Sequence, residues 1–433
     1  MTIGWTECRN IWTRRRAESG SEPQPVGRKH TDGVKRAVLV DEGSLHLRTD
    51  LAPPWPGRFV RIDGTRTYVR DTAATSPRTA EPALYVHGLG GSSQNWTDVA
   101  GMLDHRLAGE AIDLPGFGRS DPADRYSVEA FAHRVVRCIE DSNRGPVHLI
   151  GNSLGGAIAV KVAAVRPDLI RTLTLISPAL PFLDPRRSAQ GRLLPLLAIP
   201  RADRLAQRRL ATMLPEVLAQ QVLDACFGDP ARIHPQRFLE AVSEAQLRYD
   251  VPWYADAYVR TLRGLVGSFL RAYLPGSSSL WRTAARVNRP TLVIGGRMDR
   301  LVDVRVVPHA ARVIRDARLL MLPDVGHVAQ MEAPELVARA IVGMLDEVSN
   351  QPNAPRIAKT GAIHAGAARS RAASTGAVRG RAASTGRSDV ASTGAGRSDV
   401  AAQDGRDTRT NGGRSSGPRI RKPARGSATG RAA

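Results

Sequence analysis

Short apolar runs alternate with amphipathic stretches from about residue 57 to residue 348. The apolar runs at 83–86 and 147–150 are too short for helices and predict buried strands. Residues 128–139 place apolar side chains at helical spacing, and Ser127 before them is of a type that favours helix N-termini, so this stretch predicts a helix. Strands that alternate with helices predict an α/β fold, with a mostly parallel central sheet covered by helices on both faces.

Two further elements flank this region. Residues 59–70 alternate polar and apolar positions around Asp63-Gly64, which predicts an antiparallel hairpin ahead of the parallel strands. Ala333-Pro334-Glu335 begins a last helix that runs through Met344, because proline favours the first helical position.

The middle of the region departs from the alternation. Here the strand pattern stops, and the chain becomes rich in Leu, Ala and Arg with scattered prolines. We predict a helical lid at 179–286, inserted into a core formed by residues 55–178 and 287–348. The leucines and arginines at 192–209 suit an acyl chain, an anionic leaving group or a lipid surface. An amphipathic helix packed on the core explains the same pattern equally well.

The two ends of the chain differ from the core in composition. Residues 1–54 lack the alternation and are predicted to be a disordered extension, with no apolar signal segment after Arg14-Arg15-Arg16. Residues 349–433 hold 16 Lys or Arg against 4 Asp, more than half of the net charge of +21, and no aromatic residue. Such a basic tail cannot bury a core and is predicted to be disordered. It suits non-specific contact with anionic lipid or nucleic acid, without the stacking groups that base recognition uses.

Hydropathy and cysteine content bear on the location of the protein. No run of about 20 apolar residues occurs, which argues against a membrane-spanning helix. Cys8, Cys138 and Cys226 are few and lack metal-ligand spacing, so we expect no metal site and a reducing cytoplasm. Attachment to a membrane surface stays open, and no pattern indicates an oligomeric state.

A strand, a sharp turn and a helix meet at Gly151-Asn152-Ser153-Leu154-Gly155. A serine in such a turn has strained backbone angles, and small neighbours on both sides leave its hydroxyl uncrowded. Ser415 has the same glycine spacing in Gly413-Arg414-Ser415-Ser416-Gly417, but no strand precedes it and no helix follows, so we assign it no function. Ser153 is therefore the predicted nucleophile of a serine hydrolase.

A glycine-rich bend, His87-Gly88-Leu89-Gly90-Gly91, follows the predicted strand at 83–86. Such a bend exposes backbone N–H groups, and a serine hydrolase needs two of them where the carbonyl oxygen becomes negative. We predict that the N–H groups of Leu89 and Leu154 form this oxyanion hole. His87 is predicted to be a structural hydrogen-bonding residue rather than a base.

On these residues the chain resembles the α/β-hydrolase family, over roughly residues 57–348. Residues 111–121 look like the family's strand and loop after the first crossover helix. Residues 290–299 look like the strand that leads to the triad acid, and residues 319–327 like the last strand and the histidine loop. The resemblance implies an α/β-hydrolase fold with a helical lid insertion and no cofactor.

The family's chain order of nucleophile, acid and histidine is matched by Ser153, Asp299 and His327. The resemblance implies that His327 takes the serine proton and that Asp299 orients the imidazole. Asp303, four residues after Asp299, is the alternative acid.

The predicted function is hydrolysis of a small-molecule carboxylic ester, of a lipid or another acyl group, through an acyl-enzyme. Carbon–carbon bond hydrolysis of the meta-cleavage type is disfavoured, because Gly88-Leu89-Gly90-Gly91-Ser92 replaces that branch's Gly-Gly-Gly-Pro-Gly run. Perhydrolysis of the haloperoxidase type stays open. The serine argues against epoxide hydrolases and haloalkane dehalogenases, whose pattern has aspartate there. A ligand-binding scaffold tethered by the basic tail is the non-enzymatic alternative, and the complete triad argues against it.

Overall fold

A nine-stranded sheet runs through the described part of the chain. The computed structural model describes residues 33–46, 51–181 except 73 and 78, 212–274 and 279–350, together with positions 184, 204 and 208. The strands are β1 (Lys35–Arg36), β2 (Gly57–Ile62), β3 (Thr65–Thr72), β4 (Glu81–Val86), β5 (Leu107–Ile112), β6 (Val147–Asn152), β7 (Ile170–Ile176), β8 (Thr291–Gly296) and β9 (Ala317–Leu322).

The order of the strands across the sheet is β1-β9-β8-β7-β6-β4-β5-β3-β2. All neighbouring pairs from β1 to β5 in this order are parallel, and β3 pairs antiparallel with β5 and β2. The predicted mostly parallel sheet is confirmed. The chain passes from β4 to β5 and then returns to β6 on the other side of β4, so the direction of strand order reverses there. Open α/β sheets bind ligands beyond the carboxyl ends of the strands at such a reversal.

Helices pack on both faces of the sheet. The described helices are α1 (Thr97–Met102), α2 (Val128–Ser142), α3 (Leu154–Val165), α4 (Pro215–Cys226), α5 (Pro235–Asp250), α6 (Tyr254–Arg271), α7 (Leu280–Ala284), α8 (Val306–Val313), α9 (Ala329–Glu332) and α10 (Pro334–Ser349). Among them, none combines the length and the apolar character needed to cross a bilayer.

Alternate residues of a strand serve two separate cores. Leu84 and Val86 of β4 pack into a cluster with residues of α2 and α3, whereas Ala83 and Tyr85 pack into another with residues of α1 and α10. Successive side chains of a strand point to opposite faces, so the sheet is apolar on both sides. The predicted covering of both faces is confirmed.

The predicted hairpin is also confirmed. Strands β2 and β3 pair antiparallel up to Ile62 opposite Thr65. Asp63 and Gly64 between them have φ of 45° and 76°. Two turn residues with positive φ match the twist of an antiparallel pair, which explains the Asp-Gly sequence.

Folded residues begin before the predicted core boundary at residue 55. Lys35 and Arg36 of β1 pair in parallel with Arg318 and Leu319 of β9. Leu45 is buried in the same cluster as residues of α10. The prediction that all of residues 1–54 form a disordered extension therefore needs this correction, because a two-residue edge strand is too short to show an alternating pattern. Residues 1–32 lie outside the described residues.

Two other predicted segments are described only in part. Within 179–286 the described residues form α4, α5, α6 and α7, together with a short 3₁₀ turn at Pro230–Arg232. Of the Leu- and Arg-rich cluster at 192–209, only positions 204 and 208 belong to the described residues. The described chain ends at residue 350, so the basic tail lies beyond it.

Candidate functional site

Ser153 lies in the turn between β6 and α3. Its backbone has φ 55° and ψ −115°, a combination that residues other than glycine rarely adopt. Its N–H donates to the carbonyl of Ile176 at 2.9 Å, and its own carbonyl accepts the N–H groups of Ala157 (3.1 Å) and Ala179 (2.9 Å). Strained backbone persists only where the surroundings hold it, and these hydrogen bonds do so. The turn keeps Ser153 fixed beyond the end of β6.

Two glycines allow the serine turn to pack closely. A Cβ atom at Gly155 would overlap the carbonyl oxygen of Val86 in β4, and a Cβ atom at Gly151 would overlap the carbonyl of Gly155. Asn152, the residue before the serine, donates from Nδ2 to the carbonyl of His327 at 3.1 Å. The turn is thereby tied both to β4 and to the histidine loop.

Asp299 and His327 lie side by side in the loops that follow β8 and β9. His327 Nδ1 is 2.9 Å from Asp299 Oδ2. The other carboxylate oxygen, Oδ1, accepts the N–H groups of Leu301 (2.8 Å) and Val302 (2.9 Å). The side chains of Asp299 and His327 are only 2% and 5% exposed. With Nδ1–H donating to the carboxylate, Nε2 of His327 keeps its lone pair.

Asp303, the alternative acid, has a different partner. Its Oδ2 is 2.6 Å from Nη2 of Arg305, and its Oδ1 accepts the N–H of Arg305 at 3.1 Å. Asp299 is the carboxylate hydrogen-bonded to His327. The geometry therefore favours Asp299 over Asp303 as the residue that orients the histidine.

Buried polar side chains fix the glycine-rich loop after β4. Asp113 is completely buried and accepts the N–H of Ser93 at 2.6 Å. His87 Nε2 accepts the N–H of Leu114 at 2.9 Å, so its Nδ1 donates to the carbonyl of Gly88 at 2.7 Å. Burial lowers the pKa of His87 to about 4, which keeps the ring neutral at pH 7. This arrangement agrees with the structural role predicted for His87.

Leu89 and Leu154, the predicted oxyanion-hole residues, follow neighbouring strands. Leu89 comes after β4, and Leu154 is the first residue of α3. Val86 and Gly151 at the ends of these strands are paired in register, so the two segments start side by side. The first N–H groups of a helix have no intrahelical partner and carry partial positive charge. The N–H of Leu154 is thus suited to an oxyanion.

A cavity lies over the serine turn, and Ser153, His327 and Leu89 all line it. Its apolar lining includes Ala219, Val222, Leu223, Leu262, Leu301, Val328 and Met331. Its polar lining includes Gln94, Asn95, Arg237, Glu240, Glu244 and Arg248. Among the described residues, no three His, Cys, Asp or Glu side chains are grouped as metal ligands would be. The cavity combines a fixed serine, a histidine oriented by a carboxylate, and space for an apolar group.

The family model of the alpha/beta hydrolase fold matches residues 82–334, more than half of the chain. The chain belongs to the α/β-hydrolase family. This α/β hydrolase is similar to monoacylglycerol lipase abhd6-B of Xenopus laevis, with 26% identity over 288 residues, 65% of this chain and 80% of the relative. Monoacylglycerol lipase ABHD6 of Homo sapiens is 25% identical over 276 residues, 62% of this chain and 77% of the relative.

The likeness extends to solved structures. A bacterial membrane phospholipase A has a TM-score of 0.57 with this α/β hydrolase, at 23% sequence identity. The match covers 69% of this chain and 88% of that one. At this identity the comparison shows a shared fold, and the chemistry has to be argued from the site.

Glu332 is a residue of this α/β hydrolase whose position the sequence pattern did not reveal. The residue is only 7% exposed, and its carboxylate accepts three backbone N–H groups. Oε2 accepts those of Gly326 (2.6 Å) and Gly228 (2.9 Å), and Oε1 accepts that of Asp229 (2.9 Å). Gly326 directly precedes His327, whereas Gly228 and Asp229 follow α4. One carboxylate therefore joins the histidine loop to the end of α4.

A second contact joins the same two segments. The N–H of His327 donates to the carbonyl of Cys226, the last residue of α4, at 2.7 Å. A Cβ atom at Gly326 would lie within 3 Å of the backbone of Phe227. The position of His327 thus depends on α4 as well as on Asp299. The only sequence signal was a carboxylate five residues after the histidine, and nothing in the pattern indicated its three partners.

We expect Glu332→Gln to lower kcat by about 10- to 100-fold with little change in KM. The amide would turn its NH₂ group toward a backbone N–H, and a displacement of reacting groups by about 1 Å can cost this much. Steady-state kinetics on one ester would measure the effect, together with the thermal midpoint. Glu335→Gln, in the first turn of α10, is the control. A lowered midpoint with unchanged kcat would show that Glu332 only supports the fold.

Proposed function

We propose that this α/β hydrolase cleaves carboxylic esters with an apolar acyl group through an acyl-enzyme formed on Ser153. The observation that carries the proposal is the Asp299–His327 hydrogen bond of 2.9 Å beside a strained serine that lines the same cavity. A serine hydroxyl is too weak an acid to attack a carbonyl unaided, and a neighbouring imidazole with a free Nε2 lone pair can take its proton.

In the proposed first half-reaction, Ser153 Oγ attacks the ester carbonyl while His327 Nε2 takes the hydroxyl proton. The carbonyl oxygen becomes negative and accepts the N–H groups of Leu89 and Leu154. Asp299 stabilises the imidazolium that forms and stays ionised. The carbonyl then re-forms, the bond to the alcohol oxygen breaks, and His327 gives its proton to the leaving alcohol.

The second half-reaction repeats these roles with water. A water molecule attacks the acyl carbonyl on Ser153 while His327 Nε2 takes one of its protons. The same two N–H groups stabilise the second oxyanion. The acid leaves when Ser153 Oγ regains the proton from His327, so the enzyme returns to its starting state.

The lining of the cavity supports an apolar acyl group. Residues of α4 and α6, such as Leu223 and Leu262, contribute much of the apolar lining, and Leu301 and Met331 add to it. The similarity to monoacylglycerol lipases points the same way. We further propose that the insertion at 179–286 acts as a lid, because its helices form the lining that does not come from the core.

A series of p-nitrophenyl esters from acetate to palmitate would test the proposal. Burial of each methylene contributes about 0.8 kcal/mol, so we expect kcat/KM to rise about fourfold per methylene until the chain fills the cavity. The rise should stop at one chain length and then reverse. The variant lacking residues 351–433 should keep the same profile. Equal rates on all chain lengths, or no activity on any of them, would contradict the proposal.

A further inference from the structure

Four charged side chains of α5 line the cavity, and three of them have a partner of opposite charge. Arg237 lies between Asp98 (2.5 Å) and Glu240 (2.6 Å). Glu244 Oε1 is 3.4 Å from Nη1 of Arg119 in the loop after β5. Partnered charges of this kind hold α5 against the core and offer little net attraction to a ligand.

Arg248, the fourth, is different. Among the described residues, no carboxylate oxygen lies within 4 Å of its guanidinium, in contrast with the three other charged groups of α5 that line the cavity. Its Nη2 donates to the carbonyl of Gly90 at 2.7 Å, and its guanidinium lies 5.5 Å from the ring centre of Tyr254. A guanidinium has five N–H donors in a fork that matches carboxylate or phosphate. The bond to Gly90 uses only one of them.

The surroundings of Arg248 strengthen its attraction for an anion. The side chain is half-buried and lines the cavity with Cys226, Tyr258 and Leu262. Burial raises the pKa of Cys226 and that of Tyr258 to about 12, because charge is poorly hydrated in this part of the cavity. A cation that has lost part of its water gains most from a charge-assisted hydrogen bond.

We propose that Arg248 binds an anionic group of the substrate, a carboxylate or a phosphate, at a distance from the scissile ester. This inference rests on the proposed ester hydrolysis and narrows its substrates to acyl esters that carry an additional oxyanion. Gly90 follows Leu89 directly, so the anion-binding guanidinium is anchored on the loop that supplies a predicted oxyanion-hole N–H. The bound anion thereby sets how the ester lies over Ser153.

Two matched substrate pairs would test the proposal. The first, 1-oleoylglycerol and 1-oleoylglycerol 3-phosphate, places the anion on the leaving alcohol. The second, methyl hexanoate and monomethyl adipate, places it on the acyl side. We expect wild-type protein to prefer the anionic member of at least one pair. In that pair Arg248→Gln should lower kcat/KM for the anionic ester by about 10- to 100-fold, mainly through KM, and for the neutral ester by less than about threefold.

Two further variants complete the design. Arg248→Lys should restore part of the preference, since it keeps the charge without the fork. Arg260→Gln removes the same charge from α6, where Arg260 pairs with Asp256 at 3.3 Å, and it should leave both pairs unchanged. An equal loss on both members of a pair in Arg248→Gln would overturn the proposal, because it would mean that Arg248 only positions Gly90.

A binding measurement separates this proposal from the proposed function. Calorimetry of hexyl phosphate with the Ser153→Ala protein needs no turnover. Binding that is lost in Ser153→Ala/Arg248→Gln would support the anion site even if no ester were hydrolysed. Binding that is equal in both proteins, or absent from both, would overturn it whatever the activity on esters.

Discussion

Ser153→Ala is expected to lower kcat for ester hydrolysis by roughly 10⁵- to 10⁶-fold, the loss seen when a serine hydrolase loses its nucleophile. No other hydroxyl occupies the strained turn between β6 and α3, so no acyl-enzyme can form. Substrate binding should persist, because the lining of the cavity and the N–H groups of Leu89 and Leu154 remain. Residual turnover, measured at high protein concentration on the best p-nitrophenyl ester, would give the size of the effect.

Ser415→Ala is the matched control for this prediction. Ser415 has the same glycine spacing as Ser153, at Gly413 and Gly417, and we assign it no function. Its replacement should leave kcat and KM unchanged. A fall in activity in Ser415→Ala, or full activity in Ser153→Ala, would refute the assignment of the nucleophile.

Asp299→Asn is expected to lower kcat by about 10⁴-fold while leaving the fold intact. The reason lies in the hydrogen bonds of Asp299. Its Oδ1 accepts the N–H groups of Leu301 and Val302, so the oxygen of an asparagine would stay there and its NH₂ group would face His327. Nδ1 of His327 would then have to accept, which places the proton on Nε2. In that tautomer the imidazole cannot take the serine proton.

The paired measurement is Asp303→Asn. Asp303 pairs with Arg305 and not with His327, so Asp303→Asn removes an ion pair to a half-exposed arginine, which costs about 1 kcal/mol of stability. We expect its kcat to stay within about fivefold of wild type, because the tautomer of His327 does not depend on Asp303. Pre-steady-state release of p-nitrophenol would report acylation directly in both variants. A 10⁴-fold loss in Asp303→Asn with near-normal acylation in Asp299→Asn would reverse the two roles.

The parts of the fold and site that the sequence predicted are those encoded locally. The turn at Ser153 needs glycines within two residues on either side, so a strand, a turn and a helix are visible in one stretch of chain. The hairpin at Asp63-Gly64 is also encoded locally, because two adjacent residues with positive φ determine its turn. The parallel sheet follows from the alternation of elements, which the pattern shows directly.

Features that depend on contacts between distant segments could not be predicted. Glu332 binds backbone N–H groups about 100 residues earlier in the chain, and no periodicity marks such a contact. The resemblance alone favoured Asp299 over Asp303, and no sequence pattern showed that Asp299 contacts His327 whereas Asp303 contacts Arg305. The sequence contains many arginines, and only the neighbours of Arg248 in the structure distinguish it from the others. Strand β1 was missed because two residues are too few to show the alternation of polar and apolar positions that marks a strand.

The central claim is that Ser153 is activated by His327 and Asp299, and labelling by a fluorophosphonate tests it most directly. Mass spectrometry of a tryptic digest would examine the peptide at 145–161, in which Ser153 is the only hydroxyl-bearing residue. The account predicts one adduct on this peptide in wild-type protein, and labelling slowed by several orders of magnitude in Asp299→Asn. No adduct on this peptide, or labelling at an unchanged rate in Asp299→Asn, would contradict it.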